Sequence, residues 1–221
     1  MKHLNSKAYI WILIGLSVLF YLGYIFLFPI TEKTLLNFIK PITTVVTLDT
    51  IFAFIFSKWI WKINLLHDWL VPFPDLNGTW KGVIKSTWKD PETGNSPPPI
   101  PVILTIKQSF SHISCVMRTQ EMTSYSFSSD FVIDKDNQVL RLVYSYDSIP
   151  KQIIKNRSPQ HLGTILFDIL LNEKNKELTG NYWTARQTTG SIELEYWKKE
   201  QLSKYPIELG EHPVSQIRNE E

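Results

Sequence analysis

Apolar residues run nearly unbroken through the first part of the chain, then give way to a period of two. Residues 8–31 carry no formal charge, and Tyr9 to Phe28 reads YIWILIGLSVLFYLGYIFLF. About 20 such residues in a helix match the thickness of a bilayer's hydrocarbon core. The run is longer than the apolar stretch of a secretory signal, the alternative reading, and no small-residue cleavage site follows it. A second run, Pro41 to Trp61, predicts a second span at 42–60. It closes with Lys58, Trp59, Trp61 and Lys62, residue types that gather at the membrane–water interface. The short linker 29–40 makes the pair an antiparallel hairpin.

After Phe73-Pro74 the alternation predicts strands at about 77–88, 101–108, 111–120, 123–133, 138–147, 162–171, 177–184 and 190–197. Turn-forming clusters separate several of them, at Pro97-Pro98-Pro99, 134–137, 172–175 and 188–190. No helical period interrupts the series. The predicted fold class is therefore mainly β: a two-helix transmembrane hairpin followed by an eight-stranded antiparallel up-and-down barrel, because closure removes exposed edges. A β-sandwich is the alternative. Inward stripes are expected at Trp80, Gly82 and Ile84; at Leu140, Leu142, Tyr144 and Tyr146; at Gly180, Tyr182 and Thr184; and at Ile192, Leu194 and Tyr196. Glu193 and Glu195 then face water. The division expected is 1–71 for the hairpin, 72–200 for the barrel and 201–221 for a polar, aperiodic, disordered tail.

Charge narrows the partners. From Pro72 to Trp197 there are 13 basic and 13 acidic residues, which argues against a duplex nucleic-acid binder needing a basic face. The one cysteine, Cys115, allows no disulfide within the chain and fits a reducing compartment. Its place in the run Ile113, Cys115, Met117 predicts a buried, inert thiol. Lys2, Lys7, Lys58 and Lys62 flank the spans on one side. Lys33 and Lys40, partly offset by Glu32, lie between them. The positive-inside rule then places the N-terminus and the barrel in the cytoplasm. Asp49 falls in the middle of the second span, with Thr43, Thr44, Thr47 and Thr50 nearby. A carboxylate there costs about 2.5–3.5 kcal/mol on insertion scales. Two readings stay open. Asp49, Thr47 and Thr50 form a polar membrane seam that packs against other copies or lines a watery defect. Alternatively, a protonated Asp49 bonds to a neighbouring threonine within one hairpin.

No enzyme constellation is visible. The five histidines show no ligand-like spacing, and no P-loop, nucleophile elbow or paired carboxylates occur. The expectation is a binder with no metal and no resident cofactor. The informative segment is Ser148 to Gln160, with Lys151, Lys155 and Arg157 and no acid. It follows Tyr144 and Tyr146. Arg186 lies in the loop between the last two strands, and an up-and-down order puts both loops at one end. Cations backed by aromatic rings suit an anionic planar ligand, since arginine pairs with phosphate and tyrosine stacks on bases. The candidate ligand-binding residues are Tyr144, Tyr146, Arg157, Tyr182, Thr184 and Arg186. A solvated loop, or a basic rim near anionic headgroups, is the alternative for the same segment.

Two stretches carry a family resemblance: PDLNGTWKG at 74–82 and LTGNYWTARQTTGSIELEYW at 178–197. With two preceding transmembrane helices and eight strands, the chain resembles the two-helix β-barrel membrane effectors of bacterial CBASS anti-phage systems. The likeness covers residues 9–197. It implies a barrel that binds a cyclic dinucleotide, the activating ligand, made by a partner CD-NTase. It further implies homo-oligomerisation on activation, contact with membrane lipid, disruption of the inner membrane, and abortive infection. A membrane-anchored, lipocalin-like binder of a lipid or other apolar ligand remains the competing function. A barrel filled by its own side chains, serving only to recruit partners, is a third.

Overall fold

The computed structural model describes residues 6–29, 34–67, 69–90, 94–171 and 175–215. Lys2, Glu32 and Lys33, most of the turn expected at 172–175, and the tail beyond Ser215 lie outside these residues. The chain divides into two units, 1–74 with 109–111, and 75–108 with 112–221.

The first unit holds two helices, α1 (Ser6–Leu27) and α2 (Leu35–Lys58). Both are long and apolar enough to span a membrane, with mean hydropathies of 2.3 and 1.6. Helix α2 starts well before the expected residue 42 and carries Pro41 in its interior. An interior proline removes one ladder bond and crowds the carbonyl four residues back, here that of Asn37. The apolar residues ahead of it, Leu35, Leu36, Phe38 and Ile39, extend the same helix. The helices run antiparallel: the Tyr9 ring meets Phe56 at 6.2 Å, edge to face, and Ser17 on α1 reaches Asp49 on α2. Elsewhere large apolar side chains stand free, with Trp11 71% and Phe26 85% exposed. So extended an apolar surface needs a non-aqueous surrounding.

The second unit is a closed barrel. Its strands are β1 (Gly78–Ser86), β2 (Ile100–Gln108), β3 (Ile113–Arg118), β4 (Met122–Asp134), β5 (Val139–Pro150), β6 (His161–Leu171), β7 (Lys176–Thr184) and β8 (Thr189–Lys198). Each pairs antiparallel with the next, and β1 pairs with β8 to close the ring. All eight predicted strands are present, in the up-and-down order the alternation predicts, and the sandwich alternative falls. Trp80, Leu142, Ile192 and Leu194 are buried as expected. Cys115 is fully buried, and burial pushes its thiol well above the usual range. Glu193 and Glu195 face outward and meet Lys85 and Lys81 across the β1–β8 seam. Such exposed pairs add little stability.

One end of the barrel is packed. Trp80 lies at its centre, its indole donating to the Leu76 carbonyl at 3.0 Å. Beneath it Gln108 accepts from the Leu76 amide at 2.8 Å and donates its own amide to Asn77 at 2.8 Å. Buried polar groups are thereby satisfied and the end is sealed.

Residues 201–215, expected to be disordered, lie against the barrel instead. Thr79 donates to the Glu200 carbonyl and accepts from the Leu202 amide at 3.0 Å, and Thr105 donates to the Leu202 carbonyl at 2.9 Å. These are outward positions of β1 and β2, yet Thr79 is fully buried because the tail covers it. Hydroxyl-to-backbone anchoring leaves no periodic trace in the tail itself, so composition misreads it as free chain.

Candidate functional site

The other end of the barrel opens into a cavity of about 440 Å3. Up-and-down topology brings four connections to this end: β1–β2, β3–β4, β5–β6 and β7–β8. Each supplies wall residues, among them Trp88, Glu121, Arg157 and Arg186. The apolar floor includes Ile84, Met117, Ile165 and Ile192. The volume lies within the range of pockets that take one small ligand, about 300–1,000 Å3.

Five predicted residues line this cavity: Tyr146, Arg157, Tyr182, Thr184 and Arg186. Tyr144 does not. It is 1% exposed, with its ring packed on Tyr146 and Phe167 at 6.0 and 6.3 Å. Alternation puts Tyr144 and Tyr146 on one face, but only the residue nearer the open end reaches the void. The Tyr144 hydroxyl has no hydrogen-bond partner among the described residues.

Tyr146 and Tyr182 sit over glycines of the neighbouring strands. Tyr146 pairs with Gly163 and Tyr182 with Gly190. A Cβ at Gly163 would lie 2.5 Å from the Tyr146 Cζ, and one at Gly190 would lie 2.6 Å from the Tyr182 Cε1. Glycine thus admits each ring flat against the barrel wall, a recognised way of pinning strand register. Burial raises both phenols above the usual tyrosine range. Tyr182 raises the Tyr146 phenol further, a hydrogen bond with Ser86 lowers that of Tyr182, and Arg186 lowers both. Both phenols are therefore neutral and line the cavity.

The two arginines are held differently. Arg186 donates to the Ser158 hydroxyl at 3.0 Å, so the β7–β8 and β5–β6 connections are tied together. Burial lowers its pKa somewhat, with Tyr146 and Tyr182 raising it, and it stays a cation. Arg157 pairs with Glu121, whose side chain is only 8% exposed. Burial alone would raise the Glu121 pKa. Hydrogen bonds from Arg157 and Ser215, with the charges of His212 and Arg157, outweigh burial and hold it below the usual carboxylate range. Thr184 bonds with Thr188 inside its own turn at 2.6 Å.

The sequence reading misses Glu121, His161 and His212 as cavity residues. Glu121 was findable, because the β3–β4 connection lies at the same end as the two arginine loops. His161 opens β6 and faces the Pro159 carbonyl at 3.0 Å. Burial lowers its pKa, the Pro159 contact and Asp147 raise it, and Arg186 lowers it. His212 comes from the tail taken for disordered, so nothing in its local sequence signals it.

In the first unit, Asp49 Oδ2 accepts from the Ser17 hydroxyl at 2.7 Å. Its second oxygen is buried with no hydrogen-bond partner among the described residues. The partner is a serine on the other helix, not the neighbouring threonine considered above. Thr47 and Thr50 turn back to the carbonyls of Thr43 and Val46 on their own helix. Both are exposed.

A small closed barrel with one open, polar-rimmed and aromatic-walled end belongs to the class of barrels that hold a single small ligand. Comparison with known proteins identifies which. The model described as "Cap15, cyclic dinucleotide receptor domain" matches residues 71–196, and the chain belongs to that family. A CD-NTase-associated protein 15 of Staphylococcus schleiferi is 27% identical over 163 residues, 74% of this chain and 82% of that protein. A CD-NTase-associated protein 15 of Escherichia albertii is 29% identical over 168 residues, 71% of this chain and 80% of that protein.

Proposed function

We propose that this chain is a CBASS effector. Its barrel binds a cyclic dinucleotide produced by a partner CD-NTase, and binding drives the membrane helices to disrupt the inner membrane. The observation that carries the reading is the gathering of Arg157, Arg186, Tyr146 and Tyr182 around one cavity, in a chain of this receptor family. Two phosphodiesters want two cations, and planar bases want rings to stack on. In this reading the N-terminus and the barrel are cytoplasmic, and the protein is a multi-pass component of the inner membrane.

Binding shifts a resting population only if the ligand prefers the active arrangement. We take that arrangement to be a homo-oligomer in which hairpins crowd together. Asp49, with one oxygen unpartnered and Thr47 and Thr50 exposed on the same helix, then forms the polar seam between copies or along a watery defect. The test of binding is a thermal-shift titration of the full chain in detergent against cyclic dinucleotides of every pairing of A, G, C and U. At least one should raise the melting temperature in a saturable way, and Arg157→Ala and Arg186→Ala should each weaken it. A barrel stabilised by fatty acids and by no cyclic dinucleotide would overturn the reading in favour of an apolar carrier. Culture collapse on phage infection tests the seam. If Asp49→Leu collapses cultures as fully as wild type, the seam plays no part.

A further inference from the structure

We propose that residues 211–215 are a strap across the cavity mouth, clasped by Glu121, and that a phosphodiester entering the cavity unclasps it by taking Arg157. The inference rests on the reading that the cavity receives a phosphate-bearing ligand.

The tail has a fixed root and a separately held tip. At the root, backbone groups of Glu200 and Leu202 bond to the buried hydroxyls of Thr79 and Thr105, and Gln201 donates to the Ile106 carbonyl at 3.3 Å. Between root and tip lies Gly210, at φ 86°, a conformation that glycine adopts without strain. The Tyr205 hydroxyl holds its carbonyl at 3.0 Å. Beyond it one backbone amide and one side chain of the tip meet a short segment of the β3–β4 connection. The His212 amide bonds to the Gln120 side chain, and the Ser215 hydroxyl bonds to Glu121 Oε1. His212 and Val214 then form part of the cavity wall.

Glu121 Oε1 also accepts from Arg157. One oxygen therefore serves both the strap and the cation best placed to meet a phosphate. The site contains an anion of its own, and that anion competes with the ligand. A phosphodiester that pairs with Arg157 must sit beside Glu121, and two negative groups sharing one guanidinium in a partly buried site repel each other. His212 Nδ1 stands 3.5 Å from Glu121 and has no hydrogen-bond partner among the described residues. Uncharged, its ring adds no bond to the clasp; protonated, it pairs with Glu121. Losing Glu121 thus costs the tip its Ser215 bond while the root stays anchored.

Hydrogen–deuterium exchange on the full chain in lipid nanodiscs tests this, with the cyclic dinucleotide panel as probe. In the empty protein, Glu121→Gln should speed exchange across 211–215 and leave 200–202 unchanged. If it leaves 211–215 protected, Glu121 is not the clasp, whatever the ligand. With a probe that binds, exchange across 211–215 should rise. Slower exchange there would make the tip a wall that closes on the ligand and would overturn the proposal. Ending the chain after Gly210 should tighten probe binding by about tenfold, since apparent affinity falls with the fraction of competent protein. The full-length double variant His212→Ala/Ser215→Ala should do the same if the shortened chain fails to fold. Weaker binding in either would refute the strap. If no cyclic dinucleotide binds wild type while Glu121→Gln frees the tip, the clasp stands and the ligand reading falls.

Discussion

Gly163→Ala tests whether the cavity wall is built as described. Gly163 lies opposite Tyr146 on one side and Thr184 on the other. An added methyl carbon would sit 2.5 Å from the Tyr146 Cζ and 2.9 Å from the Trp183 carbonyl oxygen. Ordinary contact begins at 3.4 Å, so the ring is about 0.9 Å too close and the carbonyl about 0.5 Å. The carbonyl belongs to the β6–β7 ladder and yields little. The ring is 5% exposed, and the space available to it is the cavity. Overpacking of this kind costs about 1–3 kcal/mol. At about 2–4 °C per kcal/mol for a domain of this size, the melting temperature should fall by roughly 2–12 °C. Circular dichroism of the full chain in detergent reads this directly. In a Tyr146→Leu background the same substitution should cost less than half as much, because the obstructing ring is gone. The displaced ring should also weaken any ligand that stacks on it. A Gly163→Ala protein that melts within about 1 °C of wild type would refute the close approach of ring and glycine.

Other consequences are open to measurement. Arg157→Ala leaves Glu121 buried beside Ser215 and His212 without its guanidinium partner. Breaking a buried pair costs about 3–5 kcal/mol, and the quarter exposure of Arg157 lowers this to about 1–3 kcal/mol; adding Glu121→Gln should recover most of it in denaturant titrations. Acid should weaken the barrel in two stages. Burial lowers the pKa of His212, where Glu121 raises it and Arg157 lowers it again, and burial likewise lowers that of His161. The unfolded chain therefore binds more protons than the folded one below the ordinary histidine value of about 6.5, and stability falls as pH drops from there. Glu121 is depressed, so its contribution is intact above the unfolded value of about 4.3 and is lost as pH falls through its folded value. Melting temperature against pH should show both stages, and His161→Gln/His212→Gln should remove most of the first. Thr79→Val leaves the Glu200 carbonyl and the Leu202 amide without their buried partner at about 1–3 kcal/mol. Exchange at 200–202 should rise with it, and unchanged protection there would mean the root of the tail is held by other contacts.

Most strands were legible because they bury one face and leave the other more open, so the period of two is written residue by residue, as in Leu142, Tyr144 and Tyr146 against Arg141, Val143 and Ser145; β2 is buried on both faces from Val102 to Ile106. Antiparallel order alone then sends alternate connections to one end, and that is why Arg157 and Arg186 were expected together. The helices were legible for the same kind of reason: each is an unbroken apolar run of the length that a hydrocarbon layer demands. Pro41 misled only the boundary, because the apolar residues on both sides of it keep the chain helical through the proline.

What stayed hidden depends on distance along the chain. Whether Tyr144 lines the void or the packed core depends on how deep the barrel is filled, which Trp80, Phe167 and the strands beside them set together. Asp49 finds its partner in Ser17 through the way two helices face each other, and no local spacing encodes that. Glu121 takes its meaning from Arg157 and Ser215, residues 36 and 94 positions away. The apolar opening run announces, within its first thirty residues, a helix long and apolar enough to span a membrane. The placement of residues 200–215 waits on the barrel they lie against, because a polar segment becomes structure only where folded hydroxyls and a buried carboxylate are there to hold it.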